Sequence, residues 1–351
     1  MYRRTLIGLA ACLCLALTGC GSSNSSSSAV PGRVGGDLRI FAYTDAFDPA
    51  VFNAFGKQYP DVHVQKAEIS GDSEAVAKLK SGFGADIVNT CAGPIQQEIN
   101  NGSLQSIDTS RIKDWDQIYP FFKNISGVSE NGKTYMIPMV GGAYGLIYRP
   151  SAFPTPPTSW MDLFTTDKQI ATPDDPLTNI ITAALALGYQ DPQNLTSDQL
   201  ANVQRLLITQ KAHVKSYYSG SAINTLWQQG DVDITPADVT LVNQLKGQDI
   251  AFAPMDPALA WTCGYSIASS AKNLDAAYAY LNYALSPLVQ KVQATKFSYL
   301  VSNKASAAQL SQAVRTKSGQ DNVAGFTSSA TFNGPKDMTP WTDLWQAVKG
   351  S

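Results

Sequence analysis

Leu38-Arg39-Ile40-Phe41-Ala42-Tyr43 opens the folded part of the chain, and a helical pattern over residues 49–59 follows it. The first stretch is an apolar run of strand length, whereas the second brings Val51, Phe52 and Phe55 to one face of a helix. A strand followed by such a helix is the repeating unit of α/β proteins. The stretch therefore predicts that the body begins as an α/β fold.

The alternation of strands and helices continues downstream of this unit. Residues 61–67 and 72–81 predict a second strand and helix, and residues 86–89 and 94–100 predict a third pair. This spacing favours βαβ units and a parallel sheet. Further on, the glycine-bearing strand at residues 141–148 indicates a close backbone approach or a hinge between lobes.

The second half of the chain has fewer strands. The strands predicted there cover residues 232–234, 250–252 and 265–268. The predicted helices cover residues 177–187, 197–209, 221–229, 274–285, 287–297 and 341–348. At 351 residues the chain is long enough for two domains of ordinary size, so the pattern predicts an α/β protein of two lobes.

The composition is that of a packed globular protein without a strong charge. Hydrophobic residues make up 44% and charged residues 15% of the chain, which excludes a disordered protein. Lys and Arg together number 26 against 28 for Asp and Glu, so the body has no field that would attract nucleic acid.

The N-terminus is typical of a secretory signal. Two arginines precede an apolar run over residues 6–17, which is too short for an ordinary membrane span. Thr18 and Gly19, directly before Cys20, resemble the bacterial lipobox, which is cleaved before a lipidated cysteine. The motif predicts a signal peptide over residues 1–19 and a lipid anchor on Cys20. The alternative is a plain signal peptide with an incidental cysteine.

A Ser/Gly-rich tether follows the predicted lipid site and, with Cys20, covers residues 20–36. As a flexible coil it reaches roughly 20–25 Å. The body is then expected on the extracytoplasmic face of the cell membrane, either in a periplasmic space or at the cell surface.

The five cysteines divide into two groups. Cys12 and Cys14 leave with the signal peptide, and Cys20 is used by the lipid. Cys91 and Cys263 remain in the body, in a compartment that permits disulfides. Their spacing alone does not decide whether they pair.

Few residues suggest catalysis. The chain lacks a phosphate-binding Gly-Lys loop, a Gly-x-Ser-x-Gly elbow, a His-Glu-x-x-His motif and a cysteine zinc pattern. Its two histidines, His63 and His213, are too few for a multi-histidine metal site. Asp174 and Asp175 could serve a secreted hydrolase as an acid/base pair, or they could cap the helix that follows. The sequence otherwise predicts a protein that is not an enzyme and holds no metal or cofactor.

Aromatic residues near strand ends are better candidates for ligand binding. They are Tyr43, Phe47, Trp227, Trp261 and Tyr299. Open α/β sheets bind ligands at strand ends, where aromatic faces can hold a cation that Asp45 or Asp238 would neutralise. Trp227, on a helix, is expected in the core. For Tyr43, Trp261 and Tyr299 a core role and a binding role stay open.

Several local motifs follow one another in a recognisable order. They are Tyr43-Thr44-Asp45 after the first strand, residues 86–88 with 102–108, residues 135–138, residues 158–164, residues 230–233, the segment around Trp261, and residues 299–303. This order resembles that of bacterial spermidine/putrescine-binding proteins. The resemblance covers nearly all of the body.

The resemblance implies a two-lobed binding protein that closes on a solute and delivers it to an ABC importer. Its fold would be a type II-like periplasmic-binding-protein fold, with a mixed sheet flanked by helices in each lobe and a hinge between lobes. Lobe 1 would comprise residues 37–141 plus 262–303, and lobe 2 residues 142–261 plus 304–351. The implied partners are a small amine solute, the permease and ATPase, and the membrane through the lipid. A monomer without nucleic acid is expected.

In this family aromatic residues line the cleft and carboxylates hold the amines. By resemblance Tyr43, Trp261 and Tyr299 take cleft aromatic positions. Thr44 takes the position of a cleft hydroxyl, and Asp175 that of a carboxylate.

The chain departs from the family pattern at the amine anchors. Thr178 stands where the family has a second cleft acid, and Cys263 where it has an acid that anchors one amine. Cys91 falls near a cleft serine close to that acid, so the resemblance places the two cysteines where a disulfide could form. Burying an ammonium without a carboxylate costs several kcal/mol, so Asp45 or Asp238 would have to substitute.

The expected ligand is a polyamine such as spermidine or putrescine. Because one amine anchor is missing, a smaller zwitterion such as an amino acid or an aminoalkyl acid is the alternative. A lipoprotein that has lost transport and serves as an adhesin or sensor is a third hypothesis.

Overall fold

The computed structural model describes residues 33–321, 323 and 330–351. The predicted signal peptide, the lipid site at Cys20 and all but the last residues of the tether lie outside the described residues. Contacts divide the chain into Met1–Arg33 and Val34–Ser351, and the described helices and strands lie in the second unit. None of the helices in the described part of the chain is long and apolar enough to cross a membrane.

Strands and helices alternate through most of the described chain. The strands are β1 Gly36–Ala42, β2 Val62–Glu68, β3 Ile87–Cys91, β4 Leu104–Gln105, β5 Ser129–Glu130, β6 Lys133–Thr134, β7 Ile137–Tyr148, β8 Ile170–Pro173, β9 Val214–Tyr218, β10 Ile234–Asp238, β11 Ala251–Ala253, β12 Leu259–Ala268, β13 Leu300–Val301 and β14 Ala330–Thr331. The helices are α1 Pro49–Gln58, α2 Asp72–Lys80, α3 Ala92–Asn100, α4 Pro120–Lys123, α5 Asp162–Thr165, α6 Pro176–Ala186, α7 Ser197–Gln210, α8 Ala222–Gln229, α9 Thr240–Gln244, α10 Leu274–Ala284, α11 Pro287–Lys296, α12 Lys304–Ala307, α13 Gln312–Lys317 and α14 Thr339–Gly350. The predicted α/β class is confirmed.

Twelve strands form one mixed sheet, in which the neighbours run β2-β1-β3-β12-β7-β10-β8-β9. At one end β1 pairs in parallel with β2 and β3, as the βαβ pattern predicted. At the other end β8 pairs in parallel with β9 and β10. At each end of the sheet the parallel strands therefore finish at a common edge, and such an edge is where α/β sheets bind ligands.

The long strands β7 and β12 join the two ends of the sheet. They pair antiparallel with each other, while β12 also pairs with β3 and β7 also pairs with β10. A Cβ on Gly141 would lie 2.8 Å from the Trp261 carbonyl oxygen, and one on Gly264 would collide with the Ile137 carbonyl. Close backbone approach therefore accounts for glycine in these strands, which are also where the chain crosses between halves.

Two large hydrophobic cores lie on the two halves of the sheet. The first surrounds β1, β3, α1 and α10 and includes Phe55 and Tyr280. The second surrounds β8, α6, α7 and α14 and includes Ile180 and Trp345. A smaller core surrounds Trp227, whose side chain is fully buried as predicted. We call the parts of the sheet around the first and second cores the first half and the second half; the lobe boundaries stay predictions.

Some elements differ from the sequence prediction. Trp261 lies inside β12, outside the strand predicted for residues 265–268, because β12 begins at Leu259 to pair with β7. Likewise, β10 continues to Asp238. Strand β9 was not predicted, because an edge strand that pairs only with β8 needs no alternation of apolar residues.

Candidate functional site

A cavity of about 800 Å³ opens where the carboxyl ends of strands from both halves face each other. On the first half, Tyr43 follows β1 and Asp72 begins α2 after β2. On the second half, Asp175 follows β8 and Tyr218 ends β9. All four side chains line the cavity, although only Tyr43 and Asp175 were predicted as site residues.

Asp72 and Tyr43 form a hydrogen-bonded pair on the first half. The Tyr43 hydroxyl donates to Oδ1 of Asp72. Burial raises the pKa of Asp72, and the hydrogen bond from Tyr43 opposes that rise only in part. The carboxyl is therefore poorly solvated and would be stabilised by a cation.

Asp175 faces the cavity from the second half and also caps α6. Its Oδ1 accepts from the Thr178 backbone N–H at 2.7 Å, and its Oδ2 accepts from the Thr178 hydroxyl at 2.8 Å. The capping role considered for this acid is therefore observed. Burial raises the pKa of Asp175, and the nearby charge of Asp72 adds to the rise. Thr178, at the position where the resemblance implies a second acid, thus orients Asp175.

Aromatic rings complete the cavity wall. Tyr144, from the middle of β7, stacks on Phe332 with ring centres 5.2 Å apart, and both rings line the cavity. Burial raises the pKa of Tyr144 well above its usual value, and the charges of nearby acids, Asp175 among them, add to this. Tyr144 was not predicted as a site residue, because the glycine-bearing strand around it was interpreted only as a close backbone approach or a hinge.

Four other predicted residues form a second cluster that does not line the cavity. The Trp261 indole N–H donates to Oδ2 of Asp238 at 2.7 Å, and the Trp261 ring lies edge-on to Tyr299 at 5.3 Å. The Tyr299 hydroxyl in turn donates to Asp45. We call these four residues the Trp261 cluster. It adjoins the cavity through Tyr144, which faces Asp238 across β7 and β10.

Burial raises the pKa of both acids in the Trp261 cluster. In Asp45 the hydrogen bond from Tyr299 offsets part of the rise, and in Asp238 those from Thr240 and Trp261 do so. Both carboxyls are thus already used by neighbours inside the protein.

Cys91 and Cys263 are joined by a disulfide, with sulfur atoms 1.95 Å apart. They are directly opposite each other in the β3–β12 pair. Cys263 lies two residues after Trp261, on the same face of β12. The bridge therefore occupies the position at which the family resemblance expected an amine-anchoring acid.

The remaining candidates lie elsewhere. Thr44 is exposed at the start of a short 3-10 helix and does not line the cavity. Phe47 is buried in the first core. Asp174 lines the cavity, but its Oδ1 accepts from Lys349 at 2.8 Å and from the Trp345 indole at 3.0 Å. Asp174 and Asp175 are thus both engaged with structural partners, which does not favour an acid/base pair.

A further buried carboxyl, which does not line the cavity, is close enough to Asp72 for their charges to interact. Glu98, on α3, is fully buried; its Oε2 accepts from the Thr90 hydroxyl at 2.5 Å, and its Oε1 has no partner among the described residues. Burial raises the pKa of Glu98 to about 7, and the charge of Asp72 adds to the rise. Sequence reasoning missed it because a glutamate in a helix is usually exposed.

The region in and around the cavity has many acidic side chains and few basic ones. Five poorly solvated acids surround it, namely Asp45, Asp72, Glu98, Asp175 and Asp238, and among the described residues none is paired with a lysine or arginine. The basic residue in the described lining is Lys80, which is exposed. No group of three or more His, Cys, Asp or Glu in the described ranges is arranged to hold a metal ion. The arrangement suits an organic cation.

Comparison with known proteins agrees with this geometry. The family model described as "Bacterial extracellular solute-binding protein" matches residues 50–324. The putrescine-binding periplasmic protein PotF of Escherichia coli (strain K12) is 23% identical over 339 residues, which cover 89% of this chain and 91% of PotF.

Two solved structures show the same fold. The spermidine/putrescine ABC transporter substrate-binding protein PotD of Streptococcus pneumoniae is 20% identical, with a TM-score of 0.76 over 90% of this chain and 98% of PotD. The PBP MotA of A. tumefaciens B6, solved with glucopine, is 19% identical, with a TM-score of 0.73 over 90% of this chain and all of MotA. With the fold, the inter-half cavity and the family match in agreement, the chain belongs to the bacterial extracellular solute-binding protein family.

Proposed function

We propose that this protein is the lipid-anchored solute-binding subunit of an ABC importer, and that it captures a polyamine in the cavity between its halves. The observation that carries the proposal is the pair Asp72 and Asp175, two unpaired and poorly solvated carboxyls on opposite walls. A poorly solvated carboxylate without a cationic partner is costly, and an ammonium group reduces that cost. The rings of Tyr43, Tyr144 and Phe332 would contact the alkyl chain and the cationic groups.

The cavity volume and the crossing strands support capture of a small molecule by closure. About 800 Å³ is within the range of small-molecule pockets. Strands β7 and β12 are the connection between halves within the sheet, so bending there would bring the walls together. The relatives named above for putrescine and spermidine support a solute of this class.

A zwitterion is the second candidate, because MotA, with the same fold, was solved with glucopine. A bound carboxylate needs a cationic or donor-rich partner, and the described lining offers the exposed side chain of Lys80. Five acids nearby would repel it. The charge distribution therefore favours a polyamine.

The test is a thermal-shift screen of the purified protein with putrescine, spermidine and 4-aminobutyrate, a zwitterion of similar length. Polyamines should raise the melting temperature by several degrees, because a ligand that binds only the folded state stabilises it. No shift with either polyamine at millimolar concentration, together with a shift by 4-aminobutyrate, would reject the polyamine assignment. Hydrolytic turnover that disappears in Asp175→Asn would support the hydrolase alternative instead.

The lipid anchor is tested separately in cells. Wild-type protein should fractionate with membranes, and Cys20→Ser should release it to a soluble extracytoplasmic fraction if the lipobox is used. Equal distribution of the two proteins would argue against the anchor. Co-purification with a permease and ATPase would support the transport role over that of an adhesin.

A further inference from the structure

A polyamine needs a carboxylate at each end, and the position expected to supply one of them is occupied by a disulfide. Cys263 stands at that position, bonded to Cys91. A disulfide carries no charge and cannot neutralise an ammonium group. Another carboxyl of the first half must take this role if the proposed function is correct.

The two substitutes suggested by the sequence are poorly placed for it. Asp238 already accepts from the Trp261 indole and from the Thr240 backbone N–H at 2.8 Å. Asp45 accepts from Tyr299. Neither carboxyl lines the cavity.

Asp72 is better placed than Asp45 or Asp238 to bind an ammonium group in the cavity. It lines the cavity, it belongs to the first half, and it faces Asp175 of the second half closely enough that its charge raises the pKa of Asp175. Its described hydrogen bond is the one from Tyr43 to Oδ1, so Oδ2 is available to a ligand. No described lysine or arginine is within ion-pair distance of it.

We infer that Asp72, oriented by the Tyr43 hydroxyl, is the amine anchor of the first half and determines specificity for solutes with two cationic ends. The inference rests on the proposed function, because it assigns one end of the captured polyamine. Asp175 holds the other end. Two like charges in one poorly solvated cavity are neutralised together only by a solute that is cationic at both ends.

The experiment compares the affinities of putrescine and butylamine, which share a four-carbon chain but differ in the second amine. Titration calorimetry on the wild-type protein should give tighter binding for putrescine. Asp72→Asn should lose putrescine affinity by about 30-fold or more, the lower range for removing one partner of a buried ion pair. Its affinity for butylamine should change little, because a single ammonium can still use Asp175.

Glu74→Gln is the matched control. Glu74 also lies on α2 and lines the cavity, but it is paired with Lys78, so the same loss of one negative charge should leave the preference for putrescine intact. Tyr43→Phe keeps the ring and removes the hydroxyl, so it should weaken putrescine more than butylamine, by less than Asp72→Asn does. Unliganded melting temperatures of all variants should match the wild type within a few degrees.

The outcomes separate this inference from the function on which it rests. If the wild-type protein binds no polyamine, the proposed function fails and the inference with it. If the wild type binds putrescine but Asp72→Asn binds it as tightly, the inference alone is overturned. Equal losses for putrescine and butylamine in Asp72→Asn would likewise overturn it, because they would indicate a general disturbance of the cavity.

Discussion

Individual side chains in and around the cavity combine structural contacts with a position in the cavity wall. Asp175 caps α6 through Thr178 and also faces the cavity. The hydroxyl of Tyr43 holds Asp72. The sequence predicted some of these site residues, namely Tyr43 and Asp175. Asp72 was visible only as a helix-opening acid, because its direction depends on how α2 packs.

The buried carboxyl of Glu98 predicts an unusual pH dependence of stability. Because burial raises its pKa from about 4.5 to about 7, the unfolded chain loses this proton at lower pH than the folded chain does. Stability is therefore lost as pH rises from about 4.5 to about 7. Glu98→Gln should be more stable than wild type at pH 8, by up to about 3 kcal/mol, and equal to it near pH 4.

Urea unfolding of wild type and Glu98→Gln at several pH values checks this prediction. Glu74→Gln is the control, and its effect should have the opposite sign, since a hydrogen bond from Lys78 lowers the pKa of half-buried Glu74 to about 2. That variant should be no more stable than wild type at neutral pH. If the free energies of unfolding of wild type and Glu98→Gln changed in parallel with pH, the raised pKa of Glu98 would be contradicted.

Gly142 leaves no space for a larger side chain beside the Trp261 cluster. An added Cβ would lie 2.5 Å from Oδ2 of Asp238 and 2.6 Å from Nε1 of Trp261, which form the central hydrogen bond of the Trp261 cluster. Gly142→Ala should therefore lower the free energy of unfolding by about 1–3 kcal/mol, as overpacking does. Gly56→Ala, in an exposed part of α1 with open space around it, should instead stabilise by about 0.5–1 kcal/mol. Thermal unfolding of both variants gives the comparison, and a destabilised Gly56→Ala with an unchanged Gly142→Ala would contradict it.

At the scale of elements, strands and helices were largely predictable, and their pairing was not. The sequence pattern located α1, α2, α6 and α10 within a few residues, because α1 and α2 bury one apolar face and the sequences of α6 and α10 are apolar almost throughout. It did not show that β12 begins early enough to include Trp261, since that depends on the partner strand β7. Nor did it show β9, and so Tyr218 was missed.

The disulfide connects two elements, the end of β3 and the middle of β12. We expect the intact mass of the unreduced protein to rise by two hydrogens on reduction. Replacing both cysteines by serine should cost about 2–4 kcal/mol of unfolding free energy, because the bridge restricts the unfolded chain. Two thiols that alkylate in the native, unreduced protein would contradict this.

In the whole molecule, the two halves bring poorly solvated acids to one cavity. Binding of a cationic solute there should therefore depend on whether these acids are protonated. Burial raises the pKa values of Asp72 and Asp175, while amines stay charged over the same range. Tyr43 donates a hydrogen bond to Asp72, and the charge of Asp72 also acts on Glu98. Protons therefore compete with the solute as pH falls, so the affinity for putrescine should begin to decrease at a higher pH than it would for aspartates of ordinary pKa, and binding should release protons where the free carboxyls are partly protonated. Calorimetry in buffers of different ionisation enthalpy measures that release, and a dissociation constant independent of pH would argue against these anchors.

We propose that the cavity selects a solute that is cationic at both ends. The decisive measurement is a calorimetric titration of the purified wild-type protein with putrescine and with 4-aminobutyrate at pH 8. We expect saturable binding of a single putrescine per chain, with an affinity at least about tenfold above that for 4-aminobutyrate, whose carboxylate would face Asp72 or Asp175. Tighter binding of 4-aminobutyrate than of putrescine would contradict it.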